Sequence, residues 1–293
     1  MNKAGIIILD KPAGKSSAFV ARIVGKIVGA KKVGHLGTLD PFATGVLPVA
    51  INGATKIIQY ITPKQKTYVF EIVFGEKRNT GDVTGNVIEI SKNIPSSSNI
   101  ESVLPLFMGE IKQTPHIFSA IKTNGKKAYE IARKGGIPKI KQRNVSIFSI
   151  KILKYSPCIL EASVSPGTYI RSLTEDIAKM LGTVAYVKTL RRVSDGKFSL
   201  EKAVTLDKLE MNRYNLDEVD DMLWNLEDIL DDIPVVLIGE HNVAYLLDGK
   251  PVVVGNSLDS EVVVLLSQDS GFLAIAEIKN FTAYPKRIIR KVW

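Results

Sequence analysis

Residues 34–48 read Gly-His-Leu-Gly-Thr-Leu-Asp-Pro-Phe-Ala-Thr-Gly-Val-Leu-Pro, and no regular helix runs through such a stretch. Glycines at 34, 37 and 45 admit backbone bends that a Cβ resists. Pro41 fixes its own φ and turns Asp40 away from helical geometry. Asp40 is the only acid in the stretch, and Leu36, Leu39, Phe42, Val46 and Leu47 give it an apolar lining. A carboxylate on a shaped apolar loop is a candidate nucleophile or base. An Asp-Pro pair is also an ordinary turn former, and the stretch alone does not separate the two readings.

The flanking pattern alternates helices and strands. Residues 6–9 are a short apolar strand, followed by a turn whose Ser16-Ser17 pair caps a helix carrying Phe19, Val20, Ile23, Val24, Ile27 and Val28 on one face. A strand is expected over 46–51 and a short helix over 54–60. Residues 67–74 alternate cleanly, with Tyr68, Phe70, Ile72 and Phe74 on one face. A return strand is expected over 87–90, a short helix over 100–107, and a hairpin from 145–154 and 158–165. A helix over 172–181 and a strand over 184–191 follow. Beyond residue 233, strands at 235–238, 252–254, 262–266 and 272–278 with a helix at 240–247 form a small β-rich module of about 60 residues, on the low side for a domain standing alone. The pattern therefore predicts an α+β fold with a mixed, largely antiparallel sheet.

Charge is unevenly spread over the 293 residues, whose net charge is +9. Window 112–143 carries nine basic residues against Glu130, a net +8, with Phe118 and Tyr129 interleaved. Basic side chains among aromatics suit a nucleic-acid backbone and its bases, although a solvated helix face carries the same pattern. Segment 205–233 holds ten acids against Lys208 and Arg213, a net −8, which leaves +17 on the rest. It reads as a helical connector facing away from any polyanion. Cys158 is the sole cysteine, so no intrachain disulfide forms, and a reducing, cytoplasmic setting is expected. No apolar run has membrane-spanning length, and the three histidines lack zinc-ligand spacing.

Several stretches in order carry a resemblance: Leu9-Asp10-Lys11-Pro12 with Gly14 and Ser16-Ser17; the whole of 34–48; Lys66-Thr67-Tyr68; Gln113-Thr114-Pro115 with Ser119-Ala120-Ile121-Lys122; Gly167-Thr168-Tyr169-Ile170-Arg171; and Leu190-Arg191-Arg192. Together they resemble the bacterial TruB-type tRNA pseudouridine synthases, which isomerise the uridine at position 55 in the T-arm loop of tRNA. The resemblance implies the pseudouridine synthase fold over 1–232, with 112–143 as a basic RNA-binding insertion and 205–232 as the acidic connector. It implies a PUA-like RNA-binding domain over 233–293.

The resemblance also implies roles. Asp40 is the catalytic carboxylate, attacking the uracil ring or the sugar C1′, or drawing a sugar proton in a glycal route. Arg171 pairs with Asp40 and keeps it ionised. Tyr68 stacks on the flipped uracil, Tyr169 and Leu190 complete the pocket, and His35 helps hold the flipped-out loop. Lys11 and Pro12 support the Asp40 loop. Lys122, Lys126, Lys127, Arg133 and Lys134 are the RNA-backbone candidates. No cofactor and no metal are needed, because the isomerisation loses no group and changes no oxidation state. The implied partner is tRNA, met by a monomer that requires no protein partner and no membrane. By pattern alone Tyr68 and Leu190 are core residues and His35 a structural histidine. An alternative reading, carried by the basic window and the C-terminal module, is an RNA-binding or tRNA-folding factor whose main role is not catalytic. Affinity for tRNA is expected to fall steeply with added salt, as phosphate contacts release counterions. A filter-binding titration at low and moderate salt checks this, and a flat response contradicts the RNA reading.

Overall fold

The computed structural model describes residues 3–61, 65–123, 125–255, 259–267, 269 and 271–289. The chain divides into two compact units, one of residues 1–40, 46–62 and 200–293, the other of residues 41–45 and 63–199. Residues 200–293 thus fall in one unit with the N-terminal part of the chain.

The first unit opens with β1 (Gly5–Lys11) and α1 (Ser17–Ile27). Ile6, Ile7, Ile8 and Leu9 are all at most 1% exposed, so β1 is buried on both faces and reads as an apolar run without alternation. Ser16 caps α1 by accepting from the Phe19 amide. β2 (Val33–His35) pairs antiparallel with β3 (Thr44–Ile51). The expected helix over 54–60 is instead two 3-10 turns, Asn52–Lys56 and Ile58–Tyr60.

The second unit is built on β4 (Lys66–Phe74), where Tyr68, Phe70 and Ile72 are 7%, 0% and 3% exposed, as the alternation predicts. β5 (Glu76–Arg78), half-buried, pairs with the exposed β6 (Val87–Ile90), so 87–90 returns on β5 and not on β4. α2 (Ser97–Val103) runs into a 3-10 turn, Leu104–Phe107, and leads to β7 (Gly109–Gln113). The ribbon of β8 (Lys122–Thr123) and β9 (Lys126–Lys127) precedes α3 (Ala128–Arg133). β10 (Arg143–Lys154) and β11 (Cys158–Val164) make the expected hairpin. α4 (Ile170–Met180) starts two residues earlier than the pattern suggests, which places Arg171 in its first turn. β12 (Ala185–Asp195) runs on past 191 and is followed by β13 (Phe198–Ser199). The strand order is β12, β4, β11, β10, β7, antiparallel throughout. Thr44 and Gly45, the leading residues of β3, belong to this unit and pair in parallel with Arg191 and Arg192.

The chain then returns to the first unit. The acidic segment forms α5 (Leu206–Met211), α6 (Leu216–Asp221), β14 (Leu223–Trp224) and α7 (Leu226–Ile229). It is more than a connector: β14 pairs with β1, and Asp220 forms an ion pair with Lys3. The module beyond 233 has its own sheet of β15 (Val235–Leu237), β16 (Val252–Val253), β17 (Ser260–Ser267), β18 (Phe272–Lys279) and β19 (Thr282–Ile289), with α8 (Glu240–Leu247) before β16. Its core includes Leu246, Leu265, Ala274, Ala276 and Ala283. Among the described residues no helix is long and apolar enough to cross a membrane.

Gly45 has φ +102°, and a Cβ there would lie 2.1 Å from the Arg192 carbonyl oxygen. Gly45→Ala is therefore expected to cost more than about 3 kcal/mol. Thermal unfolding checks it, and an unchanged midpoint contradicts it.

Candidate active site

In the first unit the Asp40 loop is tied to α1 by a serine. Ser17, the first residue of α1, is 1% exposed. Its hydroxyl accepts from the Leu39 amide at 2.9 Å and donates to the Leu39 carbonyl at 3.0 Å. One side chain thus makes the two bonds that a neighbouring strand would make. Gly37 adopts φ +59°, and the Leu36 amide donates to the Pro48 carbonyl at 3.0 Å. Leu36 and Leu39 are buried and Asp40 is half-buried between them and exposed Pro41. His35 is half-buried at the end of β2, opposite Val49. Lys11 is fully buried, and its ammonium donates to the Pro12 carbonyl at 2.9 Å.

In the second unit the organising group is Arg171, 2% exposed. Its Nη1 donates to the Thr80 carbonyl at 2.8 Å and to the Asp82 carboxylate at 3.4 Å, and its Nη2 donates to the Phe118 carbonyl at 3.1 Å. Asp82, 4% exposed, also accepts from the Thr84 amide and from the Thr80 hydroxyl, each at 2.9 Å. The Thr80-Gly81-Asp82 stretch is thus a tight acceptor turn facing a buried cation. Charged groups enter an interior only with such partners.

Tyr169 is held by a buried amide. Gln113 Nε2 donates to the Tyr169 carbonyl at 3.1 Å, and the Tyr169 amide donates to Gln113 Oε1 at 2.7 Å. The Arg143 guanidinium lies 4.8 Å from the Tyr169 ring centroid. Ser172 donates to the Thr114 carbonyl at 2.9 Å, tying the 113–119 segment to α4. Tyr68 and Leu190 sit on adjacent strands: Leu190 is opposite Phe70, and Arg192 is opposite Tyr68. A buried Asp195 carboxylate receives Lys66 at 3.0 Å and Arg192 at 3.2 Å at the same end of these strands. Burial first, then repulsion from Arg192, lowers the Lys66 pKa.

The five RNA-backbone candidates are all exposed. Lys122 is directly opposite Lys127 in the β8/β9 ribbon, a like-charge pair that costs stability. The Tyr129 ring has Lys127 at 5.5 Å and Arg133 at 5.4 Å from its centroid. An aromatic ring between cations matches a base and its phosphates.

Asp82, Gln113 and His116 have no role in the sequence pattern, and Ser17 reads there only as part of a helix cap. All four act through a side chain bonded to the backbone or to a buried ion, which periodicity does not report. Ser17 and Gln113 lie in stretches that carry the resemblance, and the Thr80-x-Asp82-x-Thr84 spacing is the signal for Asp82.

Residues 25–170 match the N-terminal domain of TruB family pseudouridylate synthases, and residues 171–233 match the tRNA pseudouridylate synthase B C-terminal domain. The tRNA pseudouridine synthase B of Pseudomonas fluorescens is 37% identical over 294 residues, spanning 99% of this chain and 96% of that protein. That of Aquifex aeolicus is 36% identical, spanning 97% and 99%. Among solved structures, a Cbf5-Nop10-Gar1 complex superposes with a TM-score of 0.72 at 26% identity, covering 98% of this chain and 85% of the other.

His116 is pushed down to about 3, by burial first and then by Arg171, with Asp82 opposing. The folded chain therefore binds fewer protons than the unfolded chain between about pH 3 and the ordinary value of 6.5, and this histidine withdraws stability as pH falls through that window. Burial raises Glu175, which acts in the opposite sense. Nitrogen NMR of the His116 ring is expected to report neutral imidazole at pH 5, and a titration midpoint near the ordinary histidine value contradicts the assignment.

Proposed function

The chain belongs to the TruB family of pseudouridylate synthases, and on that premise we propose that it acts on the uridine at position 55, in the T-arm loop of tRNA. The reaction it performs is isomerisation of uridine to pseudouridine in tRNA: the N1–C1′ bond breaks, the uracil turns, and C5 joins C1′. The C5 proton leaves to solvent and N1 takes up a proton from solvent, so the product is an isomer of the substrate.

The observation that supports the site assignment best is the half-buried Asp40 on a backbone held by Ser17, within a stretch that the family's motif covers. Asp40 is the carboxylate that opens the reaction, whichever of its three routes applies. Arg171 supplies the cation that favours the ionised form of that carboxylate. Tyr68 stacks on the flipped uracil and assists departure of the C5 proton, while Tyr169 and Leu190 close around the base. His35 holds the flipped-out loop, and Lys11 and Pro12 brace the turn before α1. Lys122, Lys126, Lys127, Arg133 and Lys134 bind phosphates, and Tyr129 between its cations offers a stacking face. The 233–293 module is a PUA-like RNA-binding domain. The protein works in the cytoplasm as a monomer on bare tRNA, without a protein partner.

Tritium release from C5-labelled tRNA tests both the chemistry and the independence. Purified wild type alone is expected to release tritium from bare tRNA, and Asp40→Asn to be slower by more than about a thousandfold with tRNA binding retained. Equal release from both variants removes Asp40 from its role. Activity only with an added protein or guide RNA removes the independent mode of action.

A further inference from the structure

Arg171 takes its acceptors from two loops, the 80–82 turn and the Phe118 carbonyl, and one side chain lies against both. His116 is 9% exposed. Its Nδ1 accepts from the Phe118 amide at 3.2 Å, and its ring stacks on the Phe118 ring with centroids 5.9 Å apart and planes 25° apart. On its other side it abuts the glycine of the turn: a Cβ on Gly81 would lie 3.1 Å from His116 Nε2 and 3.3 Å from Glu175 Oε1. Gly81 itself has φ +69°. Because Nδ1 accepts, the single proton of the neutral ring sits on Nε2, which faces Glu175 Oε1 at 3.6 Å. Glu175 is four residues after Arg171 on α4, so both project from the same face of that helix.

We propose that His116 is a positioning residue for Arg171, a neutral wedge that fixes the Phe118 carbonyl and the 80–82 turn as acceptors of the guanidinium. The ring suits this task for two reasons. It is flat, so it fills the narrow space between a loop and a glycine. Its Nδ1 holds the Phe118 amide while its opposite edge packs toward α4, with Nε2 3.6 Å from Glu175 Oε1, beyond hydrogen-bond distance. A ring kept neutral also places no second cation beside Arg171. The inference rests on the proposed isomerase function, with Arg171 in its active site.

Single-turnover pseudouridine formation with enzyme in excess tests it, read together with the Kd for tRNA and the unfolding midpoint of each variant. Asparagine places its amide oxygen near the position of Nδ1, whereas glutamine reaches toward Nε2. His116→Ala and His116→Gln are expected to slow the single-turnover step about tenfold, with Kd within about twofold of wild type. His116→Asn is expected to recover most of the rate, because it restores the acceptor for the Phe118 amide. A wild-type rate in His116→Ala overturns the proposal. So does a loss in His116→Asn as large as in His116→Ala, because that pattern marks a merely space-filling histidine. Wild-type enzyme that forms no pseudouridine refutes the functional reading itself, which keeps the two failures apart.

Discussion

A guanidinium at 2% exposure must find acceptors, or the segments around it give way. Arg171 finds them in the Thr80 carbonyl, the Asp82 carboxylate and the Phe118 carbonyl. These partners lie 91, 89 and 53 residues away in sequence. One side chain therefore closes long loops whose ends α4 alone would not bring together. The cost of removing such a group is dominated by the partners left behind: a broken buried pair typically costs about 3–5 kcal/mol. The 80–82 turn and the 113–119 segment depend on this cation for their shape. The site's remaining fixtures, the Gln113 amide on Tyr169 and the Ser172 hydroxyl on Thr114, are built on the same helix start.

A second buried charge cluster controls register. Lys66 and Arg192 share the Asp195 carboxylate, and all three are at most 8% exposed. Asp195 is opposite Lys66 across β4 and β12, and the pairing slips by a residue just before it, between Arg192 and Ser194. A two-residue period means that each slip moves side chains to the other face, so a bulged strand end needs a fixed point. The ion cluster supplies one, and Tyr68 two residues along β4 inherits its placement. Burial first, and then the second cation Arg192 on the same carboxylate, lowers Lys66. Gly45 belongs to the same corner, since only a residue without Cβ lets the chain pass the Arg192 carbonyl.

Legibility followed the physics of each element. β4 and the β10/β11 hairpin were readable because their alternation is regular and one face is buried. β19 was missed because Thr282–Ile289 carries Pro285 and three basic or polar side chains where a strand pattern is sought. Pro285 is tolerated because it pairs with Ala276 at a register irregularity, where the ladder is already broken. The acidic segment reads as a connector in sequence, since net charge hides a two-residue strand such as Leu223–Trp224. In the site, Asp40 stood out because a lone acid among glycines, prolines and aliphatics breaks a local rule. Asp82 and His116 break none. Their importance comes from what lies opposite in space, and that information is not local in sequence.

The contrast between buried and exposed charge connects fold to substrate. Inside the second unit every described cation of the Arg171 and Asp195 clusters faces an acceptor, as desolvation demands. The β8/β9 ribbon does the reverse, setting Lys122 opposite Lys127 in a strand pair too short to offset the repulsion by packing. An arrangement that costs the free protein stability is favoured when a polyanion neutralises it. The two kinds of charge therefore divide the labour. Under the proposed function, buried ions fix groups before substrate arrives, and the exposed ions are where RNA phosphates would displace water and counterions. An isomerisation that retains the base throughout needs both: a rigid pocket in which the uracil turns, and a surface that keeps the rest of the strand bound while it does.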